Sequence, residues 1–579
     1  MKTNKKHRTG IKIYAVIAMS LLVLLTVRLT YVAVFCSDEL NAAATMLHER
    51  ERAVKAPRGR IITADGTVMA DNKTVCTVSV IHSQIEDEEY VIDILSRELD
   101  MSEDKVRSYV EKISSMERIK SNVSKETGDR IREYNIPGVK VDEDSKRTYP
   151  YNELASKVMG FTGADNQGIV GLEVKYDSVL AGVNGEILTP ADAAGIELDE
   201  YDEYEEKRKE PIPGDDLYIS LDYSIQSYCM QAAMKTYEAK QAKSVSIIVM
   251  NPQTGELLAM VNYPEYNLND PYILNYDVSV SDEKEKMDLL NAMWRNGVIN
   301  DTYEPGSTFK VITATAGLSC GAVRLSDTYC CGGSTVVGSR TIRCHKTTGH
   351  GTQTFAETLM NSCNPAFITW GLRTGVDNFI TYMDRLGLMS VTGVDLPGEA
   401  STIMHKKENI KELELATMSF GQSFQITPLQ LMRAISCVIN GGTLITPHFG
   451  VRTIDSQGNI NTLEYESVSG VITPEVSNTM KMLLKSVVSE GGGGKCYIEG
   501  YSIGGKTATS QKLPRSEHKY IASFIGFAPA ENPQVMAMCI IDEPQGIYYG
   551  GTIAAPVVRE VFENILPYLG IEQGEKGTK

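Results

Sequence analysis

The chain begins with a polar stretch carrying Lys2, Lys5, Lys6, His7, Arg8 and Lys12, then turns uncharged and mostly apolar from Ile13 to Val27. After Arg28 the apolar run resumes from Leu29 to Phe35. Together this is about 23 residues, enough for a helix to cross roughly 30 Å of hydrocarbon. A cleaved leader has a shorter apolar region and a small-residue cleavage site; Cys36-Ser37-Asp38-Glu39 is a poor one, so an uncleaved anchor over 13–35 is expected. The basic residues ahead of it predict a cytoplasmic tail (1–12), with the rest of the chain outside. Arg28 reads as snorkelling to the interface, with a contact to a partner membrane helix as the alternative. No second apolar run of that length follows, which predicts a single pass.

Beyond the anchor, a polar helix is expected from Asp38 to Arg52. Residues 56–70 read as strand, Asp65-Gly66 turn and strand. Helical spacing marks Val91, Ile94, Leu95 and Leu99, then Val106, Val110 and Ile113. Arg147–Gly185 is dense in Gly and Tyr, and Tyr201–Asp216 is a charged connector. The texture changes after Asp216. Ser244–Met250 and Glu256–Asn262 flank a hairpin signal, a mostly helical middle runs from Glu304 to Ile439, and strands return at Ser502–Ser510, Tyr520–Phe527 and Val535–Asp542. A last helix covers Pro556–Leu569, and Gly491–Gly494 reads as a flexible joint. Residues 36–216 thus predict an elongated α+β module. Residues 217–570 predict one α+β domain whose sheet is assembled from distant pieces, followed by a tail at 571–579.

Composition narrows the function classes. A length of 579 residues allows three to five folding units at roughly one per 100–200 residues. A chain 42% hydrophobic and 23% charged is neither fibrous nor wholly disordered. The 57 basic against 74 acidic residues give a net charge of -17, which repels phosphate backbones, so no nucleic-acid partner is expected. The 11 cysteines are not a disulfide scaffold, and Cys363, Cys437 and Cys539 sit in contexts that predict buried free thiols. Cys331 and Cys344 flank an expected hairpin at Ser334–Arg343 and are placed to bridge. With Cys330, His345 and His350 nearby a zinc site is a further reading. The spacing matches no standard zinc pattern, so reduced thiols and no metal are expected.

Three short motifs carry the chemistry. In Glu304-Pro305-Gly306-Ser307-Thr308-Phe309-Lys310 a breaker pair precedes a helical run, placing Ser307 at a helix N-terminus and Lys310 one turn on, along the same face. A serine hydroxyl needs a base; a lysine serves if desolvation and a neighbouring cation lower its pKa. Ser362-Cys363-Asn364, in a loop closed by Pro365, offers a hydroxyl and an amide to one cleft. Gly504-Gly505-Lys506-Thr507-Ala508-Thr509-Ser510 reads as a strand with Lys506 and Ala508 on one face and Thr507 and Thr509 on the other. Each motif alone is unremarkable; the three in this order are specific.

With these motifs the sequence resembles the class B penicillin-binding proteins, membrane-anchored peptidoglycan transpeptidases. The likeness also covers Arg58-Gly59-Arg60-Ile61, Arg147-Thr148-Tyr149-Pro150, Gly168–Glu173, Asn251–Glu256, Gly349-His350-Gly351, Gly421–Gln430 and Tyr549-Gly550-Gly551. It implies a pedestal or dimerisation domain at 36–216 and, at 217–570, a serine β-lactamase-like domain with an antiparallel sheet flanked by helices. It implies Ser307 as the acylated nucleophile, Lys310 as its base, Ser362 and Asn364 in the middle of the cleft, and Lys506 supporting proton transfer and, with Thr507, holding the donor carboxylate. The N–H groups of Ser307 and Thr509 would form the oxyanion hole. The donor would be a stem peptide ending in D-Ala-D-Ala, β-lactams would trap Ser307, and no cofactor is implied. A separate membrane-embedded glycan polymerase and other wall-synthesis proteins would be partners. The family has glycine where this chain has Ala508, which predicts altered β-lactam or substrate affinity at a working site. A hydrolase using water as acceptor, a β-lactam-sensing receptor and a scaffold with an impaired site are the rival readings.

Overall fold

The computed structural model describes residues 3–36, 49–114, 116–190 and 207–574. The basic-then-apolar N-terminus forms one helix, α1 (Thr3–Phe35). Its Arg8–Phe35 portion, with no part of its apolar window buried, is the only span among the described residues long and apolar enough to cross a membrane. The Arg28 guanidinium lies 5.6 Å from the centroid of the Tyr31 ring.

The rest divides into two compact units. In one, the helices Glu88–Leu99 and Glu103–Val110 bury Val91, Ile94, Leu95, Leu99, Val106 and Val110 as their spacing predicts. The Asp87 side chain caps the first by accepting from the Tyr90 amide. Their apolar faces join Cys76, Val78 and Val80 and the strand residues Ile119 and Val123 in one core. Ile113 does not belong to that face: the second helix ends at Val110 and Ile113 is 88% exposed. The polar helix expected up to Arg52 is also corrected, since Glu49–Val54 is a strand paired antiparallel with Gly185–Pro190. A partner 130 residues away in sequence outweighs a weak local propensity. The portion of that expectation at 37–48 lies outside the described residues.

The second unit comprises residues 58–72, 147–182 and 213–579, so its boundary does not follow a single break in the chain. The Asp65-Gly66 turn joins paired strands, with Gly66 at φ 87°. Three of the quoted motifs meet here. Arg58 is fully buried and donates from Nε to Glu173 at 2.6 Å, while Arg147 Nε donates to the other Glu173 oxygen at 2.7 Å and the Tyr149 hydroxyl to that same oxygen at 3.2 Å. One carboxylate between two guanidiniums is how such charges tolerate burial.

Five strands form the main sheet: β1 (Ser244–Met250), β2 (Leu257–Tyr263), β3 (Gly504–Gln511), β4 (Tyr520–Ala528) and β5 (Val535–Asp542). The order is β2-β1-β5-β4-β3, antiparallel throughout, with β3 at an edge. Alternate residues feed two cores. Ile247, Val249, Phe524 and Cys539 meet the helices α2 (Tyr223–Lys240) and α7 (Ala555–Tyr568), while Ile248, Met250, Ile525 and Met538 meet the helical middle. Burial on both faces explains why these strands read as continuous apolar runs. The middle holds α3 (Lys310–Ser319), α4 (Asn364–Arg385) and α5 (Pro428–Ile439), with α6 (Pro474–Ser489) after it. It is not wholly helical: Thr328–Cys331 pairs with Gly351–Thr354, and Ser334–Val337 with Arg340–Arg343 in the predicted hairpin.

Candidate active site

The Glu304–Lys310 segment folds as a 3-10 turn, Gly306–Phe309, that runs directly into α3. Gly306, at φ 57°, donates its amide to the Gly421 carbonyl at 2.9 Å. The Thr308 hydroxyl donates to the Pro305 carbonyl at 2.7 Å, and Phe309 packs edge-on against Phe424, 4.6 Å between centroids. Glu304 closes the turn from outside. Its carboxylate accepts from the Ser423 amide at 2.8 Å and from Arg515 at 3.1 Å.

Lys310 is fully buried, and its Nζ is the hub of the site. It lies 3.1 Å from Ser307 Oγ, 3.1 Å from Ser362 Oγ, 2.7 Å from the Ser362 carbonyl oxygen and 2.7 Å from Asn364 Oδ1. Burial, reinforced by the Lys506 charge, holds its pKa well below the ordinary lysine value. A neutral amine has two N–H donors and one lone pair. The two shortest contacts are to oxygens that only accept, so once the amine is neutral they hold its two N–H bonds and its lone pair is free for a serine hydroxyl. Lys310 Nζ also lies over the Phe367 ring, 5.6 Å from its centroid.

Ser362 is held at φ 49°, the left-handed region that non-glycine residues seldom occupy and that clusters at functional sites. Pro365 does not close a loop: it lies in the first turn of α4, which starts at Asn364. Ser362 and Asn364 therefore sit at the junction of a strained residue and the start of α4, which is kinked further on at Gly375.

On β3, Lys506 and Ala508 are buried and Thr507 and Thr509 half-buried, as alternation predicts. Lys506 Nζ donates to Ser362 Oγ at 3.1 Å and to the Thr507 carbonyl at 3.2 Å. Desolvation lowers its pKa to about 7. Thr509 Oγ1 accepts the Gly550 amide at 3.0 Å. Ser510 lies so close to Gly306 that a methyl on that glycine would strike its hydroxyl. Ala508, between Lys506 and Ser510 on their common face, is thus aimed toward the Ser307 turn and is 3% exposed.

The structure brings Ser307, Lys310, Ser362, Asn364 and Lys506 into one hydrogen-bonded group, with Thr507, Ala508 and Thr509 on the strand beside it. Sequence reasoning did not find the Gly421–Gly306 and Glu304–Arg515 contacts; Gly421 stood out only as part of a quoted motif. All 11 cysteines are free, so Cys331 and Cys344 do not bridge, and Cys363, Cys437 and Cys539 are buried as expected. The group that converges is Cys331, Cys344, His350 and Cys363, in place of one containing the exposed Cys330 or His345.

The penicillin binding protein transpeptidase domain matches residues 245–563, more than half of the chain, and the penicillin-binding protein dimerisation domain matches residues 53–219. The chain belongs to the class B penicillin-binding proteins. This penicillin-binding protein is 36% identical to Stage V sporulation protein D of Bacillus subtilis over 582 residues, 98% of this chain and 87% of that relative. It is 30% identical to the peptidoglycan D,D-transpeptidase FtsI of Escherichia coli over 469 residues, 78% of this chain and 72% of that one. Penicillin Binding Protein 2X of Streptococcus thermophilus has the same fold, with a TM-score of 0.72 at 21% identity over 91% of this chain and 83% of that one.

Proposed function

We infer that this penicillin-binding protein is a peptidoglycan D,D-transpeptidase working through an acyl-enzyme on Ser307. The observation that carries the reading is the Lys310 amine, buried, lowered in pKa and 3.1 Å from Ser307 Oγ. Lys310 takes the Ser307 proton as Oγ attacks the carbonyl carbon of the penultimate D-Ala of a stem peptide ending in D-Ala-D-Ala. The C–N bond breaks, and the terminal D-Ala leaves with a proton relayed through Ser362. An amine from a neighbouring stem peptide then attacks the ester, and Ser307 regains its proton. Lys506 and Thr507 receive the donor's terminal carboxylate. The Ser307 and Thr509 amides face the oxyanion, a type of site where losing one donor costs roughly 3 kcal/mol.

β-Lactams imitate the donor and leave a slow ester on Ser307; a structural neighbour, Penicillin binding protein 3 of Mycobacterium tuberculosis, is known in complex with ampicillin. The anchor at 13–35 leaves residues 1–12 in the cytoplasm and the pedestal (36–216) and transpeptidase domain (217–570) outside. We propose that the enzyme works beside a membrane-embedded glycan polymerase. The test is acylation of the full chain in detergent by a fluorescent penicillin. Stable labelling of the parent, absent in Ser307→Ala, is expected. A folded parent that takes no label in either its own form or as Ala508→Gly favours the scaffold reading, and label released within minutes favours a hydrolase.

A further inference from the structure

Behind the site, three separate stretches of chain deliver three thiols and an imidazole to one point. Cys331 ends the strand Thr328–Cys331, Cys344 follows the hairpin strand Arg340–Arg343, His350 precedes Gly351–Thr354, and Cys363 immediately precedes α4. Their Sγ and imidazole nitrogen atoms all lie within 4.8 Å of one another, and Cys344 Sγ is 3.6 Å from His350 Nδ1. Cys331, Cys344 and Cys363 are buried and His350 half-buried. We propose that these four residues form a binding site for a tetrahedral divalent cation with a preference for sulfur, zinc foremost.

The 3.6 Å between Cys344 Sγ and His350 Nδ1 has the size such an ion requires, and the other donors, within 4.8 Å, need close in by no more than about 1 Å. With Zn–S of about 2.3 Å and Zn–N of about 2.0 Å at tetrahedral angles, ligating sulfur and nitrogen sit roughly 3.5 Å apart and two sulfurs roughly 3.8 Å. The donor set selects the metal: thiolates and imidazole suit zinc and disfavour magnesium or calcium, which take oxygen ligands. Four protein ligands complete a tetrahedron, so the ion is structural and leaves no open position for substrate. The spacing fits no common zinc pattern because the ligands are gathered by a two-strand pairing (Cys331 opposite Gly351) and a helix start, not by a single knuckle.

The site has a consequence for catalysis that rests on the transpeptidase reading, whereas the metal site itself does not. Cys363 stands between Ser362 and Asn364, whose oxygens hold Lys310 Nζ. A cation on Cys363 Sγ pins that loop to the strand pair from behind, and with it the left-handed Ser362. Cys331, Cys344 and His350 are then positioning residues, acting through Cys363.

The test is metal content, read independently of activity. The full chain in detergent is loaded with Zn2+, dialysed, and measured by plasma mass spectrometry. In parallel it is loaded with Co2+ and its absorption recorded. One equivalent per chain, a thiolate-to-cobalt charge-transfer band and the visible bands of tetrahedral cobalt are expected. Cys344→Ser and His350→Ala should each lose the metal, and Cys330→Ser, one residue from the site, should keep it. If Cys344→Ser does not fold, His350→Ala and the cobalt spectrum of the parent decide. Substoichiometric zinc with all thiols reactive overturns the proposal. So does a parent two mass units light with Cys331 and Cys344 unreactive, which marks a disulfide. For the positioning role, chelation should slow penicillin acylation tenfold or more and Zn2+ should restore it; a metal-free protein acylated at the parent rate overturns that role.

Discussion

Gly421→Ala is a perturbation whose size follows from coordinates alone. Gly421 sits at φ 84°, and its carbonyl accepts the Gly306 amide at 2.9 Å. A methyl built there falls on the Gly306 carbonyl oxygen and 2.7 Å from the Gly306 amide nitrogen, nearer than packed carbon tolerates. The left-handed conformation costs a non-glycine residue about 1–2 kcal/mol, and the overpacking adds about 1–3 kcal/mol. The neighbour is backbone, so it yields only by moving, and Gly306 adjoins Ser307. A displacement approaching 1 Å at a reacting atom costs on the order of 10²-fold. The variant should therefore lose roughly 2–5 kcal/mol of stability by chemical denaturation and acylate with fluorescent penicillin about 100-fold more slowly, by stopped-flow or gel assay. A folded variant that acylates within threefold of the parent would refute the claim that this contact sets the Ser307 turn.

Lys310→Met, similar in volume and without a lone pair, should slow acylation by roughly 10²–10⁴, and a rate within tenfold of the parent would remove Lys310 as the base. Ala508→Gly should speed β-lactam acylation about fivefold, since the methyl faces the Ser307 turn and relief of overpacking is worth about 1 kcal/mol; a slower or unchanged rate would show that the methyl does not crowd the ligand. Lys506 makes stability depend on pH. Its pKa falls from 10.5 unfolded to about 7 folded, so between those values the unfolded chain binds more protons and stability rises with pH, by up to about 1.4 kcal/mol per unit from this residue. Denaturant midpoints at pH 7 and 9 should rise less steeply in Lys506→Met than in the parent, and parallel lines would contradict the lowered pKa.

Local patterning carried most elements because each was decided locally. The spacing of Val91, Ile94, Leu95 and Leu99, the Asp65-Gly66 turn and the basic N-terminus before an apolar run each meet one requirement that neighbours supply. The misjudged elements depended on distant partners. Glu49–Val54 is a strand because Gly185–Pro190 pairs with it, and Thr328–Cys331 pairs with Gly351–Thr354 within the mostly helical middle because short polar strands resemble loops until something lies beside them.

The motifs around Ser307, Ser362 and Lys506 by themselves pointed to the reaction class, since the proposed nucleophile, base and carboxylate-binding cation are residue types that must be present whatever the fold. Their order and the anchor determined the family. What only the tertiary structure decided is geometry. It surrounds the Lys310 amine with the Ser362 carbonyl, Asn364 Oδ1 and the hydroxyls of Ser307 and Ser362. It makes Gly421 the support of the Ser307 turn. It also gathers Cys363 with Cys331, Cys344 and His350, residues up to 32 apart in the chain. Spacing along a sequence cannot report such convergence, because pairing of Thr328–Cys331 with Gly351–Thr354 and the start of α4 bring the donors together.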